Sequence, residues 1–164
     1  MLTTQQIQTL KAAILAETDA AFVELRDSGA TGAMAEWLNS EQSPVVKAWR
    51  RSVPPSDTDE ATTWASFDGL VAGKRDSYLG AFLAYPRDYS KNAIRKWITD
   101  VWGNATVGSN AEAILLGAGQ RNITRAEAIL GGSNTGTTNA VTALKLSWEG
   151  LLSNEDVVLA VNAV

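Results

Sequence analysis

The chain contains no cysteine and no histidine. The first absence excludes disulfides, thiolate metal sites and a cysteine nucleophile. The second removes the usual general base, the commonest metal ligand and any Ser-His-Asp triad. No apolar run approaches the ~20 residues that span a bilayer, so no membrane partner is expected. The opening MLTTQQIQTLK has neither the basic nor the apolar region of a signal peptide, which sets the expectation of a protein made in the cytoplasm and kept there or inside a particle assembled there. Phosphate-cradling glycine motifs are missing too. Gly117-Ala118-Gly119-Gln120 lacks a third glycine, and Gly73-Lys74 has no glycine five residues before it. Neither a cofactor nor a metal is expected.

What is present is ordinary for a folded domain. The 164 residues are 45% hydrophobic and 20% charged, and a chain of about this length buries roughly 68–70% of its unfolded surface. Fourteen basic against eighteen acidic residues give a net charge of −4, which favours solubility over dedicated nucleic-acid binding.

Helix signals dominate the pattern. Thr3-x-x-Gln6 fits a capping box, followed by Ile7, Leu10, Ile14, Phe22 and Leu25 on one stripe. The spacing predicts one long helix ending near Ser28-Gly29. A shorter helix is expected around Ala33–Asn39. Another opens at Ser43-Pro44 through Trp49 and closes at Pro54-Pro55. Acids at 56–60 announce a helix around Ala61–Phe67, and Tyr78, Leu79, Phe82 and Leu83 continue the pattern until Pro86. Ser90 then opens a helix bearing Ile94, Trp97, Ile98 and Val101. Ser109-x-x-Glu112 and Thr124-x-x-Glu127 announce short helices at 111–117 and 125–130.

The character changes at Gly131. GGSNTGTTN, residues 131–139, holds no apolar or charged side chain and reads as a flexible connector. Residues 143–148 alternate like a half-buried strand, and Ser153 opens a final helix. The expected architecture is mainly α: a helical bundle body over 1–130, a linker over 131–142, and an extended C-terminal docking arm over 143–164 made of a short strand and a terminal helix. In that picture Leu144, Leu146, Trp148, Leu151, Leu152, Val157 and Val158 lack partners at home and form an interface for another chain. Deleting residues 132–164 should then leave the body folded.

Two further sets of residues invite a role. Lys74, Arg75, Arg87, Lys91, Arg95 and Lys96 outnumber Asp76 and Asp88 within one segment, six charges against two. They form a candidate basic face for a neighbouring subunit or for DNA phosphates. Asp57, Asp59, Glu60 and Glu112 are the only acids in positions worth weighing for carboxylate-based glycoside hydrolysis. Helix-start and capping duties account for all four, so no catalytic residue is assigned.

Several landmarks resemble a group of small proteins encoded by tailed bacteriophages. They are Val46-Lys47-Ala48-Trp49-Arg50, Trp64-x-x-Phe67, Asn92-Ala93-Ile94-Arg95 and Thr124-Arg125-Ala126-Glu127. The most specific are Leu146-Ser147-Trp148-Glu149-Gly150 and Ser153-x-x-Asp156-Val157 after a Gly/Thr-rich gap. The family carries an aromatic where this chain has Asn154, and a shorter gap. The resemblance implies a non-enzymatic virion protein, with head-to-tail adaptor as the preferred role and another neck, tail-completion or head protein as the alternative. It further implies a helical subunit in a twelve-fold ring beneath the portal, contacts with the portal and with a downstream tail or nozzle protein, and non-specific contact with packaged DNA. The protein would be made in the cytoplasm of a bacterial host and act at the neck of the particle.

Overall fold

A computed structural model describes residues 1–163. In chain order the elements are α1 (Thr4–Ala16), α2 (Ala20–Asp27), α3 (Thr31–Asn39), β1 (Lys47–Trp49), α4 (Pro55–Glu60), α5 (Trp64–Phe67) and α6 (Ala72–Phe82). There follow α7 (Asn92–Trp102), α8 (Asn110–Gly117), β2 (Gln120–Asn122), α9 (Arg125–Leu130), β3 (Thr135–Thr138), β4 (Val141–Leu144) and α10 (Asn154–Asn162). The four strands form one mixed sheet in the order β2-β1-β4-β3. The fold is therefore mixed α/β, which corrects the expected helical bundle with an extended arm.

The division of the chain also differs from the expected body, linker and arm. It forms two compact units, each gathered from separate stretches: 1–46, 122–133 and 146–164 in the first, 47–121 and 134–145 in the second. No boundary falls at 130 or 142.

The first unit is helical. α1 packs on α9 and α10, and α3 packs on α2, α9 and α10. Their shared core includes Leu10, Ile14, Phe22, Met34, Leu38 and Leu130, closed by Leu152, Val157 and Ala160 from the C-terminal segment. The single long helix expected before Gly29 is broken at Glu17–Asp19. Glu17 Oε1 accepts from the amides of Thr18 and Asp19, and Asp19 Oδ1 accepts from Ala21 and Phe22. Local side-chain bonds of this kind compete with helix continuation and start a new helix instead.

The second unit combines the sheet with α4–α8. Residues 45–49, expected as helix, supply β1, whose Ala48 lies opposite Leu144 in a parallel pair. Gly/Thr-rich residues 135–138 form β3, antiparallel to β4 with Thr138 opposite Val141. The two-residue connection Asn139-Ala140 places Asn139 at φ 53°, a conformation that asparagine tolerates better than most residues. This turn chemistry was present in the sequence but hidden by its resemblance to a linker. The core here is aromatic: Trp49, Tyr78, Phe82 and Tyr89 are buried with Ile98, Ile114 and Leu115.

Candidate functional site

The residues assigned to a docking arm are mostly occupied at home. Leu146 and Leu152 are buried, Val157 is fully buried, and half-buried Trp148 packs against the first unit's core. Asn39 secures this segment from α3, its Nδ2 donating to Leu152 O at 2.8 Å and its Oδ1 accepting from Leu152 N at 2.8 Å. Leu144 belongs to β4 and Val158 is half-buried on α10, which leaves Leu151, 71% exposed, as the one fully displayed member of the set. The physical reason is the path of the chain. The hairpin at 135–144 returns the backbone, so the apolar residues beyond it meet α3 and α9 rather than solvent.

Gly131 shows how close that return is. A Cβ there would stand 2.5 Å from Glu127 O and 2.7 Å from Leu146 Cδ2. Ser147 completes the closure, with both its amide and its hydroxyl donating to Gly131 O.

The basic segment does not form a uniform face. Arg95 is buried inside the second unit. Lys74 donates to Val101 O at 3.0 Å, and Lys96 is held by both oxygens of Asp100 at 2.7 and 2.8 Å. Arg87 lies over the rings of Tyr85 and Trp97 and donates to Ala81 O. Lys91 stands 3.8 Å from Asp88. Arg75 is half-exposed on α6.

Arg95 was expected on the solvent side of α7; it is instead the unit's main polar centre. Its Nη1 donates to Tyr89 O at 2.6 Å and Ser90 O at 2.8 Å, and its Nε donates to Thr138 Oγ1 at 2.9 Å. The guanidinium also lies 4.5 Å over the ring of Trp49. Trp49 Nε1 in turn donates to Gly136 O at 2.7 Å. Burial lowers the pKa of Arg95, and the nearby Asp88 charge opposes that effect; arginine stays charged even so. Its planar fork suits this role, because one side chain satisfies carbonyls of the loop before α7 and a hydroxyl of β3 together.

The four acids weighed for hydrolysis have structural partners or stand apart. Asp57 pairs with Arg50 at 2.6 Å, and Glu112 Oε2 accepts from Gly108 N at 2.6 Å. Asp59 borders a shallow depression with Pro55, Trp64 and Leu83, while Glu60 borders a different one with Asp57 and Gly117. Among the described residues no group of three or more acids could hold a metal ion, and no helix is long and apolar enough to cross a membrane.

A cleft of about 510 Å³ lies in the first unit among Glu17, Asp19, Trp37, Gln42, Arg125 and Ile129. Arg125 stacks 4.1 Å over Trp37 and donates to Trp37 O and Ser40 Oγ. Glu17 and Asp19 spend their Oε1 and Oδ1 on closing α2. No protein-family model, curated protein or solved structure matches this chain.

Proposed function

We propose that this protein is a non-enzymatic structural component of a tailed-phage particle, acting as a ring-forming adaptor at the junction of head and tail. The observation that carries this reading is the set of landmarks between Thr124 and Val157, read with their structural duties. Thr124 and Glu127 form the capping box of α9, Ser153 and Asp156 that of α10, and Leu146 and Val157 are buried. These later landmarks thus help to define the fold of the first unit, as expected of a likeness in architecture rather than in a catalytic site.

The surface supplies a second support. Trp64 keeps 42% of its surface exposed, beside half-buried Leu83 in the depression near Asp59. Exposed indoles of this kind serve as anchors in protein interfaces. The portal contact is then made by folded surface rather than by an extended arm. Closure into a ring requires one face of the subunit to meet a different face of the next.

Electron cryomicroscopy of the assembled particle tests the proposal, with twelve copies beneath the portal as the expected result. Copies spread over the head shell or along the tail would replace this role with another virion role. Absence from the particle would overturn the reading altogether.

A further inference from the structure

The second unit buries a positive charge with no carboxylate in contact. Arg95 is 1% exposed and makes none of the unit's ion pairs. Buried charges are ordinarily paired. Here the guanidinium is held by carbonyl oxygens, by Thr138 and, through Nη2, by Asn92 Oδ1 at 3.5 Å.

Those contacts orient two neighbours, buried Thr138 at 2.9 Å and exposed Asn92 at the outer reach of a hydrogen bond. Asn92 turns its acceptor oxygen to the guanidinium, so its amide N–H groups point away. Thr138 gives its oxygen to Arg95 Nε, so its hydroxyl is left with a proton to donate. Thr138 is 8% exposed, and among the described residues nothing accepts that proton. Both residues line one cleft of about 340 Å³ that also includes Lys96, Asn104 and Asn139. The cleft has no apolar lining residue. Its one acid, Asp100, is chelated by Lys96 through both oxygens. Asn92 is also the first residue of the eleven-residue α7, whose positive end faces outward there.

A buried cation has thus taken the acceptor ends of two lining groups and left their donor ends for the cleft. At Asn92 and Thr138 the cleft therefore offers donors, and the guanidinium behind them favours a ligand that carries negative charge. We propose that this cleft binds a phosphate group, free or as a phosphodiester, through the Thr138 hydroxyl, the Asn92 amide and the one N–H of Lys96 not donated to Asp100, with Arg95 as the buried countercharge. The proposal does not depend on the adaptor role.

Amide-resolved NMR of the full chain, titrated with inorganic phosphate, with acetate and with a short single-stranded oligodeoxynucleotide, tests it. Phosphate should shift the amides of Asn92, Thr138 and Asn139, and the response should weaken with added chloride. Thr138→Val should weaken binding about tenfold, the effect of removing a hydrogen bond to a charged group. Lys96→Ala, at an exposed position, gives the same comparison where Thr138→Val fails to fold. Asn92→Asp should abolish binding and at the same time raise the melting temperature, because a carboxylate then neutralises Arg95 from within. A purely structural Arg95 would give the second effect without the first having existed. Matching shifts with the oligonucleotide assign a nucleic-acid backbone as the source; shifts with inorganic phosphate alone assign a small phosphate. Shifts centred elsewhere, equal affinity for acetate, or unchanged affinity in Asn92→Asp and Lys96→Ala would overturn the assignment.

Discussion

Helix ends mark the contrast between the two units. In the first, every helix but α3 begins with a side chain that accepts from an amide two or three residues along, and three of these are reciprocal capping boxes. In the second, α4, α5, α6 and α7 begin with no side-chain cap, and only α8 has one. The polar connections of the second unit are long-range and buried instead. Trp49 reaches Gly136, Arg95 reaches Thr138, Thr58 meets the Tyr89 hydroxyl at 3.2 Å and Thr62 meets the Tyr78 hydroxyl at 2.6 Å. Most helix starts of the first unit are specified by neighbours in sequence, the polar centre of the second by partners 16 to 87 residues away. They should therefore fail in different ways.

The harshest break strikes both. Removing residues 132–164 takes β3 and the central strand β4 from the second unit, and Leu152, Val157 and Ala160 from the core of the first. The expected outcome is loss of cooperative unfolding and of near-ultraviolet circular dichroism, the reverse of what a detachable arm would give. A truncated chain that melts as sharply as the full protein would restore the arm.

A single substitution should strike the second unit nearly as hard. Arg95→Met keeps length and apolar bulk but leaves the carbonyls of Tyr89 and Ser90 without their donor. Each buried group left unsatisfied costs about 1–3 kcal/mol, so the loss should be about 3 kcal/mol, read from the urea midpoint. A loss below about 1 kcal/mol would mean that water replaces the guanidinium and that the centre is less dry than its burial indicates.

Alkali separates the units without mutation, since all three tyrosines, Tyr78, Tyr85 and Tyr89, lie in the second. Burial pushes the Tyr78 hydroxyl up to about 12, against the opposing hydrogen bond to Thr62, and burial raises Tyr89 as well against its bond to Thr58. A raised folded-state pKa means that the stabilisation is complete below the unfolded value near ~10 and is lost as pH climbs through the folded one. Tyr78 alone should remove about 2 kcal/mol by pH ~12. The absorbance of two of the three tyrosinates should rise together with the loss of structure; all three appearing near ~10 in a folded chain would show both buried hydroxyls to be open to water.

The same contrast explains how much was legible in the sequence. Thr3, Thr124 and Ser153 announce α1, α9 and α10 because a capping box spans four residues and carries its own geometry. The helix at 125–130 was placed to the residue. β1 was read as helix because Val45, Val46 and Trp49 also satisfy helical spacing; pairing with Leu144, ninety-odd residues later, decides otherwise. Arg95 was placed on the outside because charge predicts exposure. Nothing local to it indicates that Trp49 and the β3 hairpin will cover it. The arm failed for a related reason. Apolar residues after a Gly/Thr-rich stretch look stranded until the stretch itself becomes a hairpin.

The mildest test probes the local end of the contrast. Ser153 Oγ accepts from the Asp156 amide at 3.1 Å, while the Asp156 carboxylate accepts from the Ser153 amide at 2.9 Å and from its hydroxyl at 2.8 Å. Desolvation alone would raise the carboxyl pKa; the two bonds from Ser153, joined by the N-terminal ammonium and the Leu2 amide, outweigh it and hold the value below that of a free aspartate. A depressed folded-state pKa contributes stability that is present above the unfolded value near ~4 and is lost as pH falls through the folded one. Ser153→Ala should therefore cost about 1 kcal/mol at neutral pH, the usual effect of losing a cap. The gap between variant and parent should narrow below pH ~3, because protonated Asp156 no longer gains from the serine. A gap that stays constant with pH would place the whole value of this cap in the serine oxygen and none in the reciprocal carboxylate. Thr138→Val, by contrast, should show no such acid dependence, since its partner is a guanidinium that keeps its charge throughout.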